Sequence, residues 1–156
     1  MNVTAIRQAL GANLAVTYAP LGFQVQPFAL SAPVAPGFQM LFDRVDYHDQ
    51  ELGPPTLLRF ILLATVGYAD DQDAQEKMDG LLNDQANVSD PLSVQQALES
   101  DLALTSRLLA DGTIATGQPS VADDVTVRFA QAYRLYPMQG GNQLLLGAEW
   151  TVEVLT

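Results

Sequence analysis

The sequence predicts a single α+β domain: a mainly antiparallel β-sheet with an N-terminal helix and two central helices packed on it. Three observations predict it. The chain has 156 residues, of which 48% are hydrophobic and 16% charged, enough to bury about 70% of the unfolded surface in one core without disulfides or metals. Apolar residues recur every three or four positions in three stretches, the signature of amphipathic helices. They recur every second position in four others, the signature of strands. The resulting order of helix, strands, helices and strands fits a sheet with helices segregated onto it.

Val3, Ile6, Leu10 and Leu14 share one face of a first helix, weakened by Gly11 and ended before Pro20. Residues 19–37 hold four prolines and two glycines, leaving room for a short edge strand from Phe23 to Gln26. From Phe38 the period becomes two, with Phe38, Met40 and Phe42 on one face and Gln39, Leu41 and Asp43 on the other. After Gly53-Pro54-Pro55, Leu58, Phe60, Leu62, Ala64 and Val66 alternate with Leu57, Ile61 and Leu63. A strand apolar on both faces belongs in the middle of a sheet, with material expected on each side.

Asp70 is placed to cap a helix from Asp71 to Asn83, with Ala74, Met78, Leu81 and Leu82 as its buried stripe and Asp73 paired to Lys77 one turn on. The next helix opens either at Asp90, with Pro91 in its first position, or at Ser93, where Gln96 completes a capping box. Val94, Ala97, Leu98 and Leu102 would face inward, with a second helical piece reaching Leu108. Residues 111–124 read as a long connection with an extended piece at Ile114. Two final strands follow. Val125, Val127, Phe129, Gln131, Tyr133 and Leu135 share one face of the first; Leu144, Leu146, Ala148, Trp150, Val152 and Val154 share one face of the second. Gly140 and Gly141 lie in the turn between them.

Eighteen acids oppose seven bases, six arginines and Lys77, for a net charge of -11. That surface repels phosphate backbones and anionic lipids, which excludes sequence-independent nucleic-acid affinity and leaves passage of DNA along a repelling wall possible. Cysteine is absent, which excludes disulfides, thiolate metal sites and cysteine nucleophiles. The longest apolar run, Phe60 to Tyr68, is too short to span a bilayer, and no signal segment is read at the start.

Asp43, Asp46, His48 and Asp49 are the most metal-like cluster, since carboxylates and imidazole suit divalent cations. On a straight strand, however, Asp46 and His48 point to one side and Asp43 and Asp49 to the other. A metal-dependent enzyme using Asp43, Asp46 and His48 is the reading from another class. Asp71, Asp73 and Gln75 mimic a calcium loop until Glu76 replaces its glycine and Leu82 its final glutamate. Arg128, Tyr133, Arg134 and Tyr136 interleave bases with aromatics, with Arg128, Arg134 and Tyr136 on one strand face and Tyr133 opposite; with Gly140 and Gly141 they form the candidate partner interface, because arginine and tyrosine are favoured at interfaces. No residue is assigned as catalytic, metal-binding or cofactor-binding.

Three ordered segments carry a family resemblance: Asp70–Asn83 (DDQDAQEKMDGLLN), Ser93–Asp101 (SVQQALESD) and Leu145–Val154 (LLGAEWTVEV). Together they resemble the small tail terminator or head-to-tail connector proteins of long-tailed bacteriophages. The resemblance implies a tail-terminator-like fold and an assembly role without catalysis or cofactor. It implies a ring of copies, six by the family's habit, that caps the tail tube, stops its polymerisation and meets the head completion protein. DNA would pass through the lumen without specific binding. The implied location is the virion neck, with the host cytoplasm during assembly. Another neck connector or a tube-like subunit is the neighbouring alternative.

Overall fold

The computed structural model describes residues 1–29, 34–47, 56–83, 93–137 and 144–156, with the side chains of residues 132–134 outside that description. Helix α1 spans Val3–Tyr18; the Asn2 side chain caps it by accepting from the Ala5 N–H at 3.1 Å. Ile6, Leu10 and Leu14 are fully buried as the spacing requires. Gly11 serves close approach: a Cβ there would stand 3.0 Å from the Pro27 ring and 3.3 Å from Leu108. A 3-10 turn, Ala19–Leu21, follows and ends at Gly22 in the left-handed region.

The main sheet contains β1 (Gln24–Gln26), β2 (Gly37–Asp46), β3 (Leu57–Tyr68), β6 (Asp124–Pro137) and β7 (Leu144–Leu155), in the order β1-β2-β3-β7-β6. Only the β1–β2 pair is parallel. The doubly apolar β3 is the central strand, as its pattern predicts. Helix α2 (Gln72–Leu82) packs against β3 and β7, and α3 (Val94–Leu98) against α1, α2 and β6. All three helices lie on one sheet face, where Tyr18, Met40, Phe60, Met78, Leu98 and Trp150 build the core. Tyr18, Phe23 and Phe38 form an aromatic trio with ring centroids 4.8 to 5.5 Å apart.

Several expectations shift. Asp71 rather than Asp70 caps α2, because its carboxylate accepts the Asp73 N–H at 3.1 Å. Ser93 is the cap of α3, accepting from Gln96 N–H at 3.3 Å, while Asp90 and Pro91 lie outside the described residues. The helical piece expected to reach Leu108 does not form. The Asp101 carboxylate instead takes the Thr105 N–H at 2.6 Å and its hydroxyl at 2.9 Å, and Leu104 turns to a positive φ of 53°. Leu104 is thereby buried and Leu102 exposed, so of the expected inner face Val94, Ala97 and Leu98 are buried and Leu102 is not. Strands β4 (Arg107–Leu108) and β5 (Ile114–Ala115) then pair as a small hairpin beside α1. Arg107 secures this loop from within, donating to the carbonyls of Leu104, Ser106 and Pro119 at 2.6 to 2.8 Å; burial lowers its pKa.

Strand β6 breaks its alternation twice. Register shifts between Val127 and Phe129 and between Gln131 and Arg134 are β-bulges, each adding residues to one side of the ladder. Val125 and Val127 face the core, opposite Val154 and Val152, whereas Phe129 and Gln131 are opposite Thr151 and Glu149 on the other face. The single face expected for Val125 through Leu135 is therefore divided.

Candidate functional site

The second sheet face, expected to be covered, bears no helix among the described residues. One end is closed by the stretch around Val34, whose carbonyl accepts the Thr65 hydroxyl at 2.8 Å. At the same end, since Thr65 and Gly147 are register partners, the Tyr136 ring lies over Gly147, where a Cβ would also stand 2.8 Å from the Ala64 carbonyl oxygen. Further along the strands, towards the Arg59–Glu153 pair, a cavity of about 240 Å³ is lined by Asp43, Arg59, Ile61, Phe129, Glu149 and others.

Glu153 is the polar hub of this face. β7 holds it between β3 and β6, so that its carboxylate accepts from Arg59 Nη2 at 2.6 Å and from Arg128 Nε through its other oxygen. The Glu153 side chain is 8% exposed, that of Arg59 28% and that of Arg128 58%. Burial pushes the Glu153 carboxyl up, but the hydrogen bonds and charges of both arginines outweigh it and hold the group below the ordinary glutamate range. The hydrogen bond to Glu153 raises Arg59 against the opposing effect of burial. Arg59 Nε is a buried atom with no hydrogen-bond partner among the described residues. Nearby, Tyr136 donates its hydroxyl to Glu149 Oε1 at 2.7 Å.

The candidate interface residues separate on this frame. Arg128 and Tyr136 share the open face, as their spacing predicts. Arg134 pairs with Gly147 in the ladder, the side chains of Tyr133 and Arg134 are outside the described set, and Gly140 and Gly141 lie outside the described residues. In the metal-like cluster, Asp43 is exposed beside the bulge in β2 and Asp46 pairs with Arg44 at 3.0 Å. His48 and Asp49 lie outside the described residues, and no group of three metal-ligating side chains converges among those described. Asp71 and Gln75 are engaged in helix capping and in a bond to the Ala69 carbonyl. Trp150 is core, 3% exposed. Among the described residues no helix is long and apolar enough to cross a membrane.

Sequence reasoning missed Glu153, Arg59 and Glu149. The one signal available was an acid midway along a strand apolar at every alternate position. The partners of Glu153 are 94 and 25 residues away in the chain, so local spacing does not reveal them.

Among the described residues both sheet edges are open. β1 pairs with β2 on one side only and β6 with β7 on one side only. Along β1 lies a groove of about 470 Å³, bounded by Ala15 of α1 and by Leu108 and Leu109 beside the β4–β5 hairpin, and containing no ionisable side chain. Phe28 and Leu109 are exposed at it; Phe129 on β6 is 58% exposed. Compared with known proteins, the sequence matches no family model and no curated protein.

Proposed function

We propose that this chain is a tail terminator of a long-tailed bacteriophage: a structural protein that assembles into a ring, six copies by analogy, caps the tail tube, stops its polymerisation and offers the joining surface to the head completion protein. The observation that carries this reading is a sheet with one helix-free face and two edges that are unpaired among the described residues. Exposed strand edges invite pairing with another chain, and head-to-tail contact between two different patches closes into a ring when the rotation allows. The resembling segments add support, since they become α2, α3 and β7, which pack around one part of the core. A net charge of -11 suits a lumen through which DNA slides without sticking.

Native mass spectrometry and negative-stain imaging, at high concentration and with purified tail tubes, test the proposal. Rings, free or seated on tube ends, are the expected result. A chain that stays monomeric and leaves tube ends bare refutes it; low concentration alone is no test, because a template raises the apparent stability of an assembled state.

A further inference from the structure

We infer that β1 of one copy pairs antiparallel with β6 of the next, centred on Val25 and Ala130, so that neighbouring copies share one continuous sheet. This deepens the ring reading and rests on it.

Four observations meet at these two residues. First, Gln24 N–H donates to the Pro36 carbonyl within the parallel β1–β2 ladder, and alternation along a strand then directs the N–H and C=O of Val25 away from β2, into the groove. Second, Val127 N–H, opposite Val152, is turned away from β7 and donates to Glu99. Carried past the bulge to the Ala130–Trp150 pair, the same alternation leaves the backbone of Ala130 turned outward as well. Third, Val25 is opposite Phe38 and Ala130 opposite Trp150, both core residues, so the two side chains stand on the helix-bearing face. A rotation about an axis parallel to the strands preserves that face. It also brings β6 beside β1 in opposite directions, since β1 and β2 run one way, β3 the other, β7 back and β6 the other again.

The fourth observation is charge. Copies of net charge -11 repel, and contact is favoured where acids are absent. The groove along β1 has no ionisable lining residue, and Phe129-Ala130-Gln131, the regular run between the two β6 bulges, is uncharged and matches β1 in length at three residues. A second copy is thus the occupant with the right strand sense, face and charge.

In this pairing Gln24 falls opposite Gln131, a narrow pair with Cα atoms about 4.5 Å apart, within disulfide reach. The natural chain has no cysteine, so the doubly substituted Gln24→Cys, Gln131→Cys protein is a clean probe. Within one copy the two positions lie on opposite edges of a five-stranded sheet and cannot bond to each other. Oxidation of assembled protein is expected to give a ladder of covalent oligomers ending at the ring size, with neither single variant progressing past a dimer. Ala130→Pro, which removes an outward N–H without touching the β7 ladder, is expected to raise the concentration needed for assembly at least tenfold while the circular dichroism of the monomer is unchanged. Rings that form without a ladder and assemble equally well with Ala130→Pro overturn the pairing and leave the ring reading standing. Absence of rings under every condition, tail tubes included, overturns both.

Discussion

Replacing Glu153 with glutamine isolates the charge of the hub while nearly preserving its shape. At neutral pH the carboxylate receives two charge-assisted hydrogen bonds. The bond from Arg59, whose side chain is only 28% exposed, should contribute about 1.5–3 kcal/mol. The bond from Arg128, 58% exposed, should contribute no more than about 1 kcal/mol. Glutamine can accept from one arginine but turns its amide N–H groups toward the other, so we expect a net loss of about 2 kcal/mol. For a domain of this size that lowers Tm by about 4–8 °C. Trp150, the single tryptophan and a core residue, reports unfolding directly in a urea titration. The pH dependence carries the stronger test. Because the folded-state pKa of Glu153 is depressed, its contribution is complete above the unfolded-state value of about 4.3 and is lost as pH falls through the lower folded-state value. The gap between wild type and Glu153→Gln should be full at pH 7 and shrink steadily below pH ~4. Equal stabilities at pH 7, or a gap of constant size down to pH 3, would refute the assignment of Glu153 as an ionised clamp.

Three further outcomes are expected. Gly147→Ala should lose about 3 kcal/mol or fail to fold, because the new methyl group meets both the Tyr136 ring and the fixed Ala64 carbonyl; a urea midpoint within error of wild type would contradict this. Arg107→Gln should release the segment 101–119 by uncoupling three carbonyls, seen as faster proteolysis within that segment while the main sheet stays protected from hydrogen exchange. Raising sodium chloride from 0.05 to 0.5 M, roughly a threefold shortening of the screening length, should promote self-assembly of copies that each carry -11; light scattering that falls with added salt would contradict it.

Much of the fold was legible because burial on one face imposes a period. Val3 through Leu14 and Leu144 through Val154 read correctly for that reason, and the doubly apolar β3 read correctly as central. Serine 93 was legible as a cap because the bond it makes is local. The errors arose where a non-local partner decides the geometry. The bulges in β6 follow from the strand's pairing with β7 and leave no mark in the alternation of Phe129, Gln131 and Leu135. Beyond the end of α3 at Leu98, Asp101 holds the chain in a turn by engaging Thr105, a competition that propensity alone does not resolve. Ile61 and Leu63 suggested a second packing layer; Leu63 is buried, but the face is shared with Arg59, Glu149, Thr151 and Glu153 and carries no helix among the described residues. Of the candidate interface, Arg128 and Tyr136 were foreseen on one face, whereas the carboxylates that engage them were not.

The strand nearest the C-terminus, β7, lies between β3 and β6 and joins the two halves of the sheet. Without β7, strands β1, β2 and β3 stay joined to one another while β6 has no strand partner in the sheet. Removing residues 144–155 would therefore bare the edges of β3 and β6 at once, whereas removing β1 bares only the edge of β2.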